Sequence, residues 1–98
     1  MKFLDNEVRR HSNLAETGVK LMMQAFGGDP PKIALTPNNT QSEKDEQEGY
    51  KFLFAGAAFA IRNPRGHDVA LRDSLQECLD HLAFASMLLR RLASAGYS

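Results

Sequence analysis

FLFAGAAFAI, residues 52–61, is apolar at every position. In a soluble chain, a helix that is apolar all round is a central element, covered on every face by its neighbours. Gly56, Ala57, Ala58 and Ala60 keep it thin, so other helices can come close while Phe52, Phe54 and Phe59 fill the gaps. The run is well short of the roughly 20 apolar residues that span a bilayer, so it reads as a core or interface segment. An all-α fold follows, built around this helix.

Upstream, the helix is predicted to begin near Glu43, with Glu43, Asp45, Glu46 and Glu48 in its first turns, where negative charge complements the helix dipole. Downstream, Pro64 ends it, because proline disfavours helical backbone at Asn63 and has no amide hydrogen of its own. RNPRGH, residues 62–67, is therefore a turn. Beyond it, Asp73 and Gln76 resemble a capping box, and Leu71, Leu75, Cys78, Leu82, Ala85, Leu89 and Leu92 alternate spacings of three and four. That stripe predicts a helix–helix seam with Cys78 buried in it. Phe84 and Leu88 widen the seam into the kind found in a globular bundle, and Arg90 and Arg91 suit the last turns.

Before the central helix, Phe3, Leu4 and Val8 give residues 2–11 a short amphipathic pattern, a helix in its own right or the remnant of a longer one. Asn13 and Glu16 have capping-box spacing, and Leu14, Gly18, Leu21, Met22, Ala25 and Phe26 then share one helical face. Gly27-Gly28 ends this second helix. DPPKIALTPNNTQS, residues 29–42, has three prolines and reads as a surface loop, with Ile33 and Leu35 placed to pin it to the core and room for a short extended pair. The expectation is a single domain, residues 1–98, folded as an antiparallel bundle of about four helices.

Composition narrows the function. Twelve basic residues balance twelve acidic ones, so no overall field draws nucleic acid or an anionic membrane, and polyanion binding would need a local cluster. The single cysteine excludes an internal disulfide and suits a reducing cytoplasm. MKFLDNEVRRHSN has charges where a signal peptide needs an apolar core. His11, His67, Asp68 and His81 lack the spacing of a metal site and read as exposed or capping groups. Met22 and Met23 read as core.

Arg62, Asn63, Arg65 and His67 are the chemistry-bearing cluster. Taken alone, the arginines would cap free carbonyls at the end of the helix and His67 would hydrogen-bond in the loop. Against this, Pro64 and Gly66 constrain the turn, and polar groups beside a closely packable helix suit a cleft or a dimer junction. Histidine titrates near neutrality, and arginine donates paired hydrogen bonds to phosphate while staying charged. Phosphodiester chemistry is within their reach.

The pattern R-polar-x-x-x-H, here Arg62 to His67 between a small-residue helix and a leucine-rich one, resembles the signature of the HEPN superfamily. GYKFLFAGAAFAIRNPRGH, LDHLAFASMLLRRL, NEVRR and GVKLMMQAFGG together resemble the bacterial branch of Ymh-type hypothetical proteins. The resemblance implies a helical bundle acting as a homodimer, a metal-independent endoribonuclease without cofactor, of toxin–antitoxin or phage-defence type. It implies RNA as substrate and an antitoxin protein as a further partner, in the cytoplasm and away from membranes. By the same resemblance His67 is the general base or acid, Arg62 binds phosphate and Asn63 orients the pair. Arg65 is a further phosphate contact or a solvated loop arginine. Glu7 and Arg9 resemble an E-x-R element of the family's first helix, lining the same cleft or forming an exposed charge pair. Family members carry a longer first helix than these ten or so residues, so the resemblance implies either a truncated first helix, in a fragment, or a naturally reduced version. The alternative keeps the fold without the chemistry, as a nucleotide- or RNA-binding or dimerisation module.

Overall fold

The computed structural model describes residues 2–60 and 75–97, and among them the regular elements are four helices and no strand. These are α1 (Lys2–Ser12), α2 (Gly18–Phe26), α3 (Gln41–Ala60) and α4 (Leu75–Ser94). The all-helical expectation holds.

The turn between α1 and α2 departs from the sequence reading. Asn13 does not cap α2; it closes α1, with its N–H donated to the Arg9 carbonyl at 2.9 Å and its φ at 61°. Asparagine tolerates this left-handed region, which is the usual terminus of a helix. α2 begins five residues later at Gly18, after Thr17, whose side chain makes no capping bond. The cap comes from α1 instead, where Asp5 Oδ2 accepts the Gly18 N–H at 3.1 Å. Leu14 therefore precedes α2 and packs against the core from the turn, while Leu21, Met22, Ala25 and Phe26 are buried as predicted. Met23 is 36% exposed, so the methionine pair is core at one position only.

Both glycines after α2 serve its end, for different reasons. A Cβ on Gly27 would stand 2.5 Å from the Met23 carbonyl oxygen, whereas Gly28 supplies the left-handed backbone at φ 92°. The strap that follows meets itself in one isolated bridge, Gly28 to Pro31, and sinks Ile33 and Leu35 into the core, as expected. Its backbone is tied down by Gln47 of α3, a buried side chain. Gln47 accepts the Leu35 N–H at 2.8 Å and donates to the Phe26 and Ile33 carbonyls at 2.9 and 3.0 Å. Nothing in the amphipathic pattern singled it out.

α3 begins two residues before Glu43, where Thr40 and Glu43 form a capping box. The Glu43 N–H is donated to Thr40 Oγ1 at 3.1 Å, and Glu43 Oε1 accepts the Asn39 and Thr40 N–H groups at 2.8 and 3.2 Å. The signal was present as T-x-x-E at Thr40-Gln41-Ser42-Glu43. In the second half of the helix Phe54, Ala55, Ala57 and Ala58 are buried, with Phe54 stacked on Phe26 at 4.2 Å between ring centroids.

The opposite face corrects the expectation of a helix covered all round, because Phe52, Leu53 and Phe59 are 55, 41 and 71% exposed. The seam on α4 is likewise half open. Ala85, Leu88 and Leu92 are buried, but Leu75, Cys78, Leu79 and Leu82 are exposed, Cys78 against prediction. One heptad of such a stripe drifts only about 20° around a straight helix, so exposed Cys78 and buried Ala85 share a face, and what separates them is position along α4, which meets the core only from Phe84 onward. The packed end of α4 is anchored by Arg91, which donates to the Leu35 carbonyl at 2.8 Å, pairs with Glu46 at 3.3 Å and lies over the Tyr50 ring. Just past the helix, Tyr97 accepts the Ala34 N–H on its hydroxyl and meets His11 edge to face.

Candidate functional site

Arg62, Asn63, Arg65 and His67 lie outside the described residues, as do Asp68, Asp73 and the predicted turn itself. What the structure supplies is their two approaches. α3 arrives with Ala57 and Ala58 buried and Phe59 and Ala60 exposed. α4 departs with Leu75 to Asp80 all exposed, six residues over nearly two turns of helix. The chemistry-bearing stretch is therefore bracketed by helix ends that expose apolar side chains, Phe59 on α3 and Leu75 and Leu79 on α4, the last two beside exposed Gln76, Glu77 and Asp80.

Glu7 and Arg9 are both on α1, two residues apart, so their side chains leave the helix about 200° apart. They do not pair with each other. Glu7 Oε1 accepts a hydrogen bond from Arg10 Nη2 at 2.8 Å and lies 3.8 Å from His11 Nε2. That hydrogen bond is the main reason its carboxyl stays below the ordinary carboxylate range. Burial opposes it, and the charges of Arg10 and His11 add to it. Arg9 donates to Asn6 Oδ1 and, at 3.4 Å, to the Glu16 carbonyl. A ligand contact by Glu7 or Arg9 would have to exchange with these partners.

Sequence reasoning passed over Asp5 and treated His11 as a surface group. Asp5 Oδ1 and His11 Nε2 are buried with no hydrogen-bond partner among the described residues. Asp5 spends its other oxygen on the cap of α2, and His11 sits between Glu7 and Tyr97. The only hint in the sequence was their spacing from Leu4 and Val8, which puts both at the edge of the apolar face of α1. Among the described residues, no three His, Cys, Asp or Glu side chains gather as metal ligands would.

An open concavity lies between the turn after α2 and the start of α3, lined by Gly28, Asp29, Asn38, Lys44, Gln47 and Glu48. From Lys44 to Ala60 is about 24 Å of helix at 1.5 Å per residue, so this hollow is remote from the end of α3 that leads to Arg62. No described helix is long and apolar enough to cross a membrane.

The model of a protein family described as "Protein of unknown function (Hypoth_ymh)" matches residues 1–92. No curated protein and no solved structure matches the chain.

Proposed function

The chain belongs to the Hypoth_ymh family, and from that premise we propose that it is a HEPN-type, metal-independent endoribonuclease acting as a cytoplasmic homodimer in a toxin–antitoxin or phage-defence system. The observation that carries the reading is the spacing of Arg62, Asn63 and His67 within RNPRGH, between the end of α3 and the start of α4. An arginine and a histidine supply two of the functions RNA transesterification needs, a phosphate contact and a proton acceptor. His67 takes the proton of a ribose 2′-hydroxyl, and the 2′-oxygen forms a bond to the adjacent phosphorus as the bond to the 5′-oxygen breaks. A proton is delivered to that leaving oxygen by the second copy of the motif across a composite cleft. The products are a 2′,3′-cyclic phosphate and a 5′-hydroxyl. Arg62 holds the phosphate and stabilises its growing charge, Asn63 orients the pair, and Arg65 offers a further phosphate contact.

One observation favours a second reading, a non-catalytic module that binds a nucleotide, RNA or an antitoxin. Net charge is zero, and several cations are neutralised locally: Lys20 by Glu16, Arg10 by Glu7, Lys51 by Glu48 and Arg91 by Glu46. A nuclease for long RNA commonly presents a broader basic surface.

Incubating the protein with RNA in EDTA, beside His67→Ala, separates the two. The nuclease reading expects cleavage by the wild type to 2′,3′-cyclic ends and a loss of about 10²–10⁴-fold in the variant. No cleavage by either protein, or equal cleavage by both, leaves the binding module.

A further inference from the structure

The hollow between the turn after α2 and the start of α3 gathers charges of both signs from two parts of the chain. Asp29 and Asn38 enter it from near the two ends of the strap. Lys44, Gln47 and Glu48 enter it from α3, where spacings of three and four put them on one face. Gln47 has both amide hydrogens committed to the Phe26 and Ile33 carbonyls, so it fixes this wall rather than serving a ligand. The other groups keep capacity. Among the described residues, the Lys44 ammonium and the Asp29 carboxylate have no hydrogen-bond or ion-pair partner, and they do not pair with each other. Glu48 gives Oε2 to Lys51 at 2.8 Å and has Oε1 to offer. Asn38 donates its N–H to Thr36 Oγ1 at 3.1 Å and its Nδ2 to the Thr36 carbonyl at 3.0 Å, which leaves Oδ1 as an acceptor.

We infer that this hollow binds a small zwitterion, an α-amino acid with a short side chain. The mixed sign of the lining decides the class. A simple anion drawn to Lys44 meets the carboxylates of Asp29 and Glu48, and a simple cation drawn to those carboxylates meets the ammonium, so neither satisfies the whole lining. A molecule carrying both charges does. Its carboxylate accepts from Lys44, whose flexible four-carbon stem follows it, and its ammonium donates to Asp29 and to Asn38 Oδ1. Size agrees with this class. The hollow has a volume of about 200 Å³, below the roughly 300–1,000 Å³ of pockets for drug-sized ligands. At roughly 30 Å³ per water it has room for about seven non-hydrogen atoms. Apolar wall is scarce, because Phe26 is only 1% exposed and Pro31 is half-buried, so a long apolar side chain gains little there. A molecule held this way joins the strap to the face of α3 that carries Gln47. Nothing in it rests on the RNA chemistry proposed above.

Proton–nitrogen correlation spectra recorded during titration with L-alanine read the site through the Gly28 amide and the side-chain amides of Asn38 and Gln47. Propionate and ethylammonium, each carrying half of the charge pattern, are titrated in parallel at the same pH and ionic strength. The expected result is a saturable shift of these resonances with a dissociation constant of about 1–10 mM, and binding of each half-ligand weaker by about tenfold or more. Lys44→Met and Asp29→Asn should each weaken L-alanine binding by about tenfold, while Lys20→Met, on α2 and outside the lining, leaves it unchanged. Resonances of the distant core, such as Leu88 and Leu92, show that each variant folds. Equal binding of propionate and L-alanine would reduce the hollow to an anion contact of Lys44, and equal binding of ethylammonium would reduce it to a cation contact; either overturns the zwitterion. No saturable shift well above the expected dissociation constant overturns the site, as does L-alanine binding that survives both variants. Each of these outcomes leaves the RNA cleavage assay as it stands.

Discussion

Phe54 and Phe59 stand five residues apart on α3, one fully buried and the other 71% exposed. Around Phe54 the chain has supplied everything an apolar side chain needs. Phe26 stacks on it, Leu88 and Leu92 of α4 join the same core, and the strap carrying Ile33 and Leu35 closes over the region. Around Phe59 no described element does the same, and Leu75, Leu79 and Leu82 of α4 share that condition. Apolar content is similar at the two ends, so hydrophobicity alone does not say which face its own chain will cover. What differs is the presence of polar fasteners. Gln47 and Arg91 hold distant backbone at the packed end, while among the described residues the bond from Gln76 to Asp80 at the open end is local to α4.

The largest expected effect tests that contrast directly. Phe54→Ala removes a ring from a filled core and should cost about 3–5 kcal/mol. Phe59→Ala should stay within about 0.5 kcal/mol of wild type when urea unfolding is followed below any self-association. Equal losses at the two positions would mean that Phe59 is covered within a single chain, and the contrast would collapse.

Next in size is Gln47→Ala. It strands one buried N–H and two buried carbonyls, since Leu35, Phe26 and Ile33 all depend on this one amide. A loss of about 2–3 kcal/mol is expected. Gln76→Ala removes only an exposed bond to Asp80 and should change stability by less than about 0.5 kcal/mol. A small loss at Gln47 would show that the strap does not depend on its fastener.

The helices were legible where periodicity and caps act locally. The apolar face of α2, the two pinning residues of the strap and the acidic start of α3 could all be read from spacing. Three features could not, because each depends on a partner distant in sequence. Asn13 has the spacing of a cap, but Asp5 takes that role once α1 folds back on α2. Gln47 looks like one more polar residue on an acidic helix until the strap arrives beside it. The leucine stripe of α4 is regular throughout, yet only the part near Leu88 and Leu92 meets a core. Of the candidate site, the pattern of Arg62, Asn63 and His67 is a property of sequence alone, and α1 shows Glu7 and Arg9 engaged with other neighbours.

The smallest expected effect lies in those neighbours and separates surface charge from the packing beneath it. Arg10 donates to Glu7, and with the charges of Arg10 and His11 this outweighs burial and holds the carboxyl below its usual 4.5. A carboxylate with a lowered folded pKa adds stability that is present in full above the unfolded value and is lost as pH falls through the folded one. Unfolding of the wild type should therefore become easier below about pH 4.5, more steeply than that of Glu7→Gln, with the two curves meeting in stronger acid. Because the Arg10 side chain is 56% exposed, added salt should flatten the difference. Urea midpoints measured against pH at two ionic strengths decide it. Parallel curves would mean that the Glu7–Arg10 pair orders the surface of α1 without stabilising the fold, leaving the packed end to its core and its buried amide.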